Sequence, residues 1–184
     1  MYNSKNLELP PGAIEEVTGN ASRATKELVA LWLLYIRSAG GGFGVRTGKS
    51  LKLVEISILP KVDEPKRQEA RVVLEMTVTE DMLNLAGNLH GACITYIVDI
   101  CSTLPIIAIL HAQGGSGDPG VSQQIDTTFH APATLGDKLK LITTSTTVGG
   151  RTASARIDLW DTTHHRLVAS GTQIKMEASR TAKL

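Results

Sequence analysis

The stretch Asn84 to Ser102, NLAGNLHGACITYIVDICS, decides the fold of this chain. A helix that is apolar nearly all round starts at the pair His90-Gly91 and runs to about Ala112, with one carboxylate, Asp99, in its first half. An ionisable group on such a helix needs a partner or a task, because burying an unpaired charge is costly. A helix that opens on a small residue also leaves free backbone N–H groups and a positive dipole end accessible. Together these are parts of a site that stabilises an oxyanion and attacks a carbonyl.

Working outward, Pro105 is expected to kink this helix or end its regular part. Upstream, Leu51–Leu59 is an apolar strand bounded by Gly48 and Pro60. A second strand, Arg71–Thr79, turns Val72, Leu74, Met76 and Val78 to one face and Arg71, Glu75 and Thr77 to the other, with Val73 out of pattern. Val62–Glu69 between them reads as a solvated loop. Downstream, Gly114–Gly120 is a loop, followed by strands at Val121–Phe129, Lys138–Val148, Thr152–Trp160 and Arg166–Met176. Ala153, Ala155, Ile157 and Leu159 form an inward face. Short turns between these strands favour antiparallel pairing. One sheet cannot cover both sides of the long helix, so a second subunit is expected on its far side.

Nearer the N-terminus, Leu28, Leu31, Trp32 and Tyr35 recur at helical spacing in Ser22–Ser38, with Ser22 as N-cap and Gly40-Gly41-Gly42 as the stop. Residues 1–21, with Pro10-Pro11-Gly12, read as an extended, loosely attached arm. Residues 22–178 then make a single domain and 179–184 a tail.

The length of 184 residues fits one domain with a sizeable core. The 19 basic and 18 acidic residues nearly cancel, and no basic run points to a nucleic-acid surface. Cys93 and Cys101 lie about 12 Å apart along one helix, too far to bridge, and read as free thiols of a reducing compartment. No Cys/His cluster has metal-site spacing; His164-His165 reads as a solvated turn. No secretory leader is visible. Leu28–Ile36 is far short of the roughly twenty residues a span requires. Gly91–Ala112 is long enough, but Asp99 and Pro105 argue against insertion.

The element order, together with Asn84, Gly87, His90-Gly91, Asp99, Gly120-Val121-Ser122 and Ala131-Pro132-Ala133 with Gly136-Asp137, resembles the hotdog-fold acyl-CoA thioesterases. Within them it is most similar to the branch of phenylacetyl-CoA thioesterases and small mammalian acyl-CoA thioesterases, over about Leu51–Glu177. The resemblance implies an α+β hotdog fold, a long central helix wrapped by an antiparallel sheet, here with an extra N-terminal helix. It implies hydrolysis of acyl-CoA to acid and CoA without metal or cofactor. Asp99 matches the general base or nucleophile, and Gly91 the backbone N–H that polarises the thioester carbonyl. Asn84 matches the side chain that orients water or carbonyl, Ser122 the hydroxyl that positions the attacking water, and His90 the motif's histidine. Ala92 stands where a second Gly often follows, and Gln123-Gln124 replaces a more usual apolar-then-acidic pair. Both departures lie near the acyl pocket and remove no reacting group.

Helix geometry adds a constraint. Gly91 and Asp99 are about 12 Å apart along the axis and roughly 80° around it. A thioester carbon must lie about 3 Å from its attacker with its oxygen on the donor. One helix cannot place both groups there, whereas two antiparallel copies across a two-fold axis can. A homodimer, or a homotetramer built from dimers, with a composite site is therefore expected.

Each residue has an ordinary alternative. Asp99 can cap a loop N–H, Gly91 can serve close packing, Asn84 can be a turn residue, Ser122 can face solvent, and His90 can simply enter the helix. Arg151 and Lys175 are candidate contacts to CoA phosphates, or ordinary surface charge. A hotdog dehydratase or hydratase using His90, and a non-catalytic acyl-CoA-binding module, are the competing functions. The terminal Ala182-Lys183-Leu184 is close to a peroxisomal address, which makes the peroxisome the expected location, with cytoplasm or mitochondrion as alternatives.

Overall fold

The structure is a computed structural model that describes residues 8–38 and 43–178. The glycine run at 40–42 and the terminal Ala182-Lys183-Leu184 lie outside the described residues. The elements are α1 (Arg23–Ser38), α2 (Val45–Ser50), β1 (Lys52–Pro60), β2 (Gln68–Thr77), α3 (Gly91–Ala112), β3 (Val121–Phe129), β4 (Lys138–Val148), β5 (Thr152–Asp161) and β6 (Arg166–Met176). Ser22 caps α1 as expected, its Oγ accepting from Thr25 N at 3.2 Å. The short α2 and a 3-10 turn at Glu80–Met82 are additions to the expected order. β2 opens at Gln68, inside the stretch read as loop, and closes before Val78, whose N–H turns to Asp137 O.

All strands join one antiparallel sheet in the order β1-β2-β4-β5-β6-β3. β4, β5 and β6 form a meander with the antiparallel pairing that the short turns favour. β3 departs from it: it pairs with β6 rather than with β4, its neighbour in sequence. The segment between β3 and β4 takes its own hydrogen bonds instead, His130 N and Ala131 N donating to Val168 O. β3 thereby becomes an edge strand, mostly exposed along its length.

The sheet wraps α3, the hotdog arrangement. Val72, Leu74, Met76, Ala155, Ile157 and Leu159 are buried on strands, and every α3 residue from Cys101 to Ile109 is buried. Pro105 does not end the helix, which continues to Ala112. α3 is long and apolar enough to cross a membrane, but two thirds of its apolar window is buried within this fold, as in a core helix.

The far side of α3 is covered in part by the chain itself, where the sequence pointed to a second subunit. α1 covers the C-terminal half within the same chain: Val29, Ala30 and Leu33 are buried, and Thr25 Oγ1 lies 2.9 Å from His111 Nδ1. The N-terminal half remains partly open, with Gly91, Thr95, Tyr96 and Asp99 only half-buried.

The arm is also bound more tightly than expected. Residues 8–21 run onto the outer edge of β1: Thr18 N donates to Val54 O, Ile56 N to Thr18 O, and Asn20 bonds both N and O of Ile58. Ile14, Val17 and Ala21 are buried. Gly19, at φ 91°, permits this approach, since a Cβ there would stand 2.1 Å from Ile56 O.

Candidate active site

Three inward positions of β6 build the site. Gly171, Gln173 and Lys175 alternate with outward residues and face α3. At Gly171 the helix comes so close that a Cβ would meet Val98 Cγ1 at 2.7 Å. The missing side chain lets Asp99, one residue further along α3, reach the sheet.

There Asp99 Oδ1 accepts from Gln173 Nε2 at 2.5 Å and from Ser122 Oγ at 3.0 Å. Ser122 enters from β3, where register sets it opposite Lys175, and a bulge between Ser122 and Gln124 follows immediately. Ser122 Oγ accepts from Gln173 Nε2 at 3.0 Å and from Lys175 Nζ at 3.2 Å. Gln173 is itself fixed from behind, its Oε1 accepting from Ser102 Oγ at 2.8 Å and Thr103 Oγ1 at 3.1 Å. Asp99 Oδ2 has no hydrogen-bond partner among the described residues.

Lys175 differs from its reading as a surface phosphate contact. It is only 6% exposed, and its ammonium donates to Ser122 Oγ at 3.2 Å. Burial lowers its pKa from the usual lysine value, opposed by the carboxylates of Asp99 and Asp118. Arg151 is exposed, at the rim of a cleft of about 1080 Å³ that Lys175 also lines, with Asp118 and Gly149-Gly150. Burial likewise raises the Cys101 thiol well above its ordinary pKa, and the nearby Asp99 adds to the shift.

The remaining predicted residues gather at the other end of the exposed half of α3. His90 is the N-cap, its Nδ1 accepting from Ala92 N at 3.0 Å. Gly91 N–H, in the first turn, has no partner among the described residues, and Phe129 Cζ lies 3.4 Å from where its Cβ would stand. Asn84 holds a turn, its Oδ1 accepting from Ala86 N and Asn88 N, and lines a pocket with His90 and Leu83. Within one chain the predicted residues thus form two groups: Asp99 with Ser122, and Asn84 with His90 and Gly91. Gln173 was not among them.

A third cluster, Asp137, Asp161 and His164, has its ligand atoms within 4.8 Å of one another. Its acceptors are already engaged. Asp161 takes N–H groups of Thr163 and His164 and the Arg166 guanidinium, while Asp137 takes the N–H and hydroxyl of Thr134. His164 Nδ1 lies 2.8 Å from Asp161 Oδ2, so this histidine is a tie between the turn and β5 rather than merely solvated.

Comparison with known proteins decides the family. The Thioesterase superfamily model matches residues 86–168. Human acyl-coenzyme A thioesterase 13 is 33% identical over 119 residues, 64% of this chain and 81% of that protein. The chain belongs to the thioesterase superfamily. The mouse acyl-coenzyme A thioesterase 13 is 30% identical over 118 residues, again 64% of this chain and 81% of the relative. Among solved structures, zebra fish thioesterase superfamily member 2 superposes with a TM-score of 0.64 at 26% identity, covering 81% of this chain and 96% of that one. As a thioesterase-superfamily enzyme, the chain places its half-exposed carboxylate on the central helix, at the strand that closes the sheet.

Proposed function

We propose that this protein hydrolyses acyl-CoA thioesters to a free carboxylic acid and CoA, in a site completed by a second copy of the chain. The Asp99 carboxylate carries the proposal: Oδ1 is tied to Ser122 and Gln173, and Oδ2 is left open on the uncovered half of α3. The curated relatives named acyl-coenzyme A thioesterase 13 support CoA as the leaving group.

In this reading Asp99 Oδ2 takes a proton from water as the water attacks the thioester carbon; the tetrahedral intermediate then breaks its C–S bond and the proton passes to the departing CoA thiolate. Alternatively Asp99 attacks that carbon itself, expelling CoA as thiolate to leave an anhydride, which water opens to free acid and carboxylate, a water proton going to the thiolate. The carbonyl oxygen becomes an oxyanion, stabilised by the unpartnered N–H of the partner copy's Gly91 at the positive end of its helix. Asn84 uses its Oδ1 in the turn, which leaves its Nδ2 to orient water or carbonyl. His90 spends Nδ1 on the helix cap, accepting from Ala92 N, so that nitrogen is not free to remove a proton from carbon as in a hydratase. Arg151, exposed on the cleft rim, is the candidate contact for a CoA phosphate.

The dimer follows from the two separate groups and from β3, an edge strand without proline or lysine that exposes Val121 and Phe129. The assembly is a homodimer or a pair of dimers. Two measurements test the proposal. Free thiol is followed with a panel of acyl-CoAs for the wild type and Asp99→Asn, and release that does not depend on Asp99 overturns the role of the carboxylate. Inactive Asn84→Ala and Asp99→Ala chains are then mixed; if hybrid dimers form without regaining activity, the composite site is wrong.

A further inference from the structure

The Lys175 ammonium is a buried charge that the hydrolytic reading does not use. Lysine is a donor only, whereas a serine hydroxyl has one hydrogen and two lone pairs. Lys175 Nζ and Gln173 Nε2 both donate to Ser122 Oγ, at 3.2 and 3.0 Å. They fill both lone pairs, so the single Ser122 hydrogen is left for Asp99 Oδ1 at 3.0 Å. A cation on the hydroxyl oxygen also makes its O–H a stronger donor, because linked hydrogen bonds polarise one another. The strand register fixes this geometry, since Ser122 and Lys175 are directly opposed across β3 and β6.

We infer that Lys175 is a positioning residue of the hydrolytic site: through Ser122 it locks Asp99 Oδ1 and so presents Oδ2 to the substrate. The inference rests on the proposed role of Asp99. It assigns to Lys175 a task inside the site in place of a contact to CoA phosphate. Although Lys175 also lines the cleft that Arg151 borders, its side chain is 6% exposed and its ammonium is held 3.2 Å from the Ser122 hydroxyl.

The test is a double-mutant cycle on thiol release, with Lys175→Met, Ser122→Ala and the pair. Methionine keeps the unbranched stem and removes the charge. Lys175→Met is expected to lower kcat about tenfold or more with KM within about twofold, as for loss of a charge-assisted hydrogen bond. In the Ser122→Ala background the same change should cost less than about twofold. Equal losses in both backgrounds overturn the inference, as does a rise in KM with kcat retained, the mark of a CoA contact.

A second measurement needs neither activity nor a folded Lys175 variant. In lysine side-chain NMR spectra of the wild type, the Lys175 Nζ signal should exchange slowly with water and move in Ser122→Ala. A signal that exchanges like surface lysines and does not move overturns the inference. A wild type that releases no thiol overturns the hydrolytic reading instead, and the NMR result still decides the Lys175–Ser122 contact.

Discussion

Gln173 Nε2 donates to Asp99 Oδ1 at 2.5 Å, joining β6 to the central helix across 74 residues of sequence. The amide also links Asp99 to Ser122, so one side chain organises both. Gln173→Leu removes this link while nearly preserving volume. Ser102 and Thr103 lose an acceptor but keep the helix carbonyls of Val98 and Asp99, at 2.6 and 2.9 Å. Thiol release should therefore fall about tenfold or more while stability drops by only about 1 kcal/mol. Parallel kinetics and denaturant melts check this, and a stability loss without a kinetic one would make Gln173 purely structural.

Gly171 sets the distance between α3 and β6. A valine there must displace Val98 or the Asp126 carbonyl, which stand 2.7 and 2.8 Å from the position of a Cβ. Gly171→Val should cost about 1–3 kcal/mol by overpacking and separate Asp99 from Gln173. The expected result is a lower midpoint in urea together with activity lost before unfolding begins.

The Asp161 carboxylate gives a pH dependence of stability. Burial raises its pKa, but hydrogen bonds from His164, Thr163 and Arg166 outweigh burial and lower it from the ordinary value. The unfolded chain therefore binds this proton more readily than the folded one, so the contribution is present above the ordinary carboxylate pKa of about 3.9 and is lost as pH falls through the lower folded value. Comparing urea melts of wild type and Asp161→Asn, the gap should be full at pH 7 and close below about pH 4. A gap that stays constant down to pH 2 would contradict this assignment.

Neither cysteine should react readily. Burial raises the thiols of Cys93 and Cys101, and Cys101 is completely enclosed beside Asp99. Addition of a thiol-reactive disulfide reagent at pH 8 should leave Cys101 unmodified in the native protein and titrate both after guanidinium is added. Rapid native modification of Cys101 would show that α3 opens far more often than its packing implies.

Much of this architecture is legible from residue pattern. The apolar run with one carboxylate marks α3 and Asp99, and the limits of β3 to β6 follow from the turn segments at Gly114–Gly120, Gly149-Gly150 and Asp161–His165. α2 escapes because six residues containing Gly48 are too few to show a period. The pairing of β3 with β6 escapes because sequence adjacency favours β4. Gln173 escapes because its partner lies so far away along the chain. A signal for it existed, however: Gly171, Gln173 and Lys175 fall on the inward register of β6, where a core strand should carry apolar residues. Placing Lys175 on the surface overlooked that same register.

The two borders of the sheet are unlike. On the β1 side the backbone of residues 18–21 already occupies the ladder, whereas among the described residues nothing pairs with the outer edge of β3. In the proposed dimer, two copies joined along β3 would leave only the strapped borders facing outward. The segment at 18–21 would then hinder the addition of a third copy, and loosening it, for instance by Gly19→Val, would be expected to favour growth into fibres.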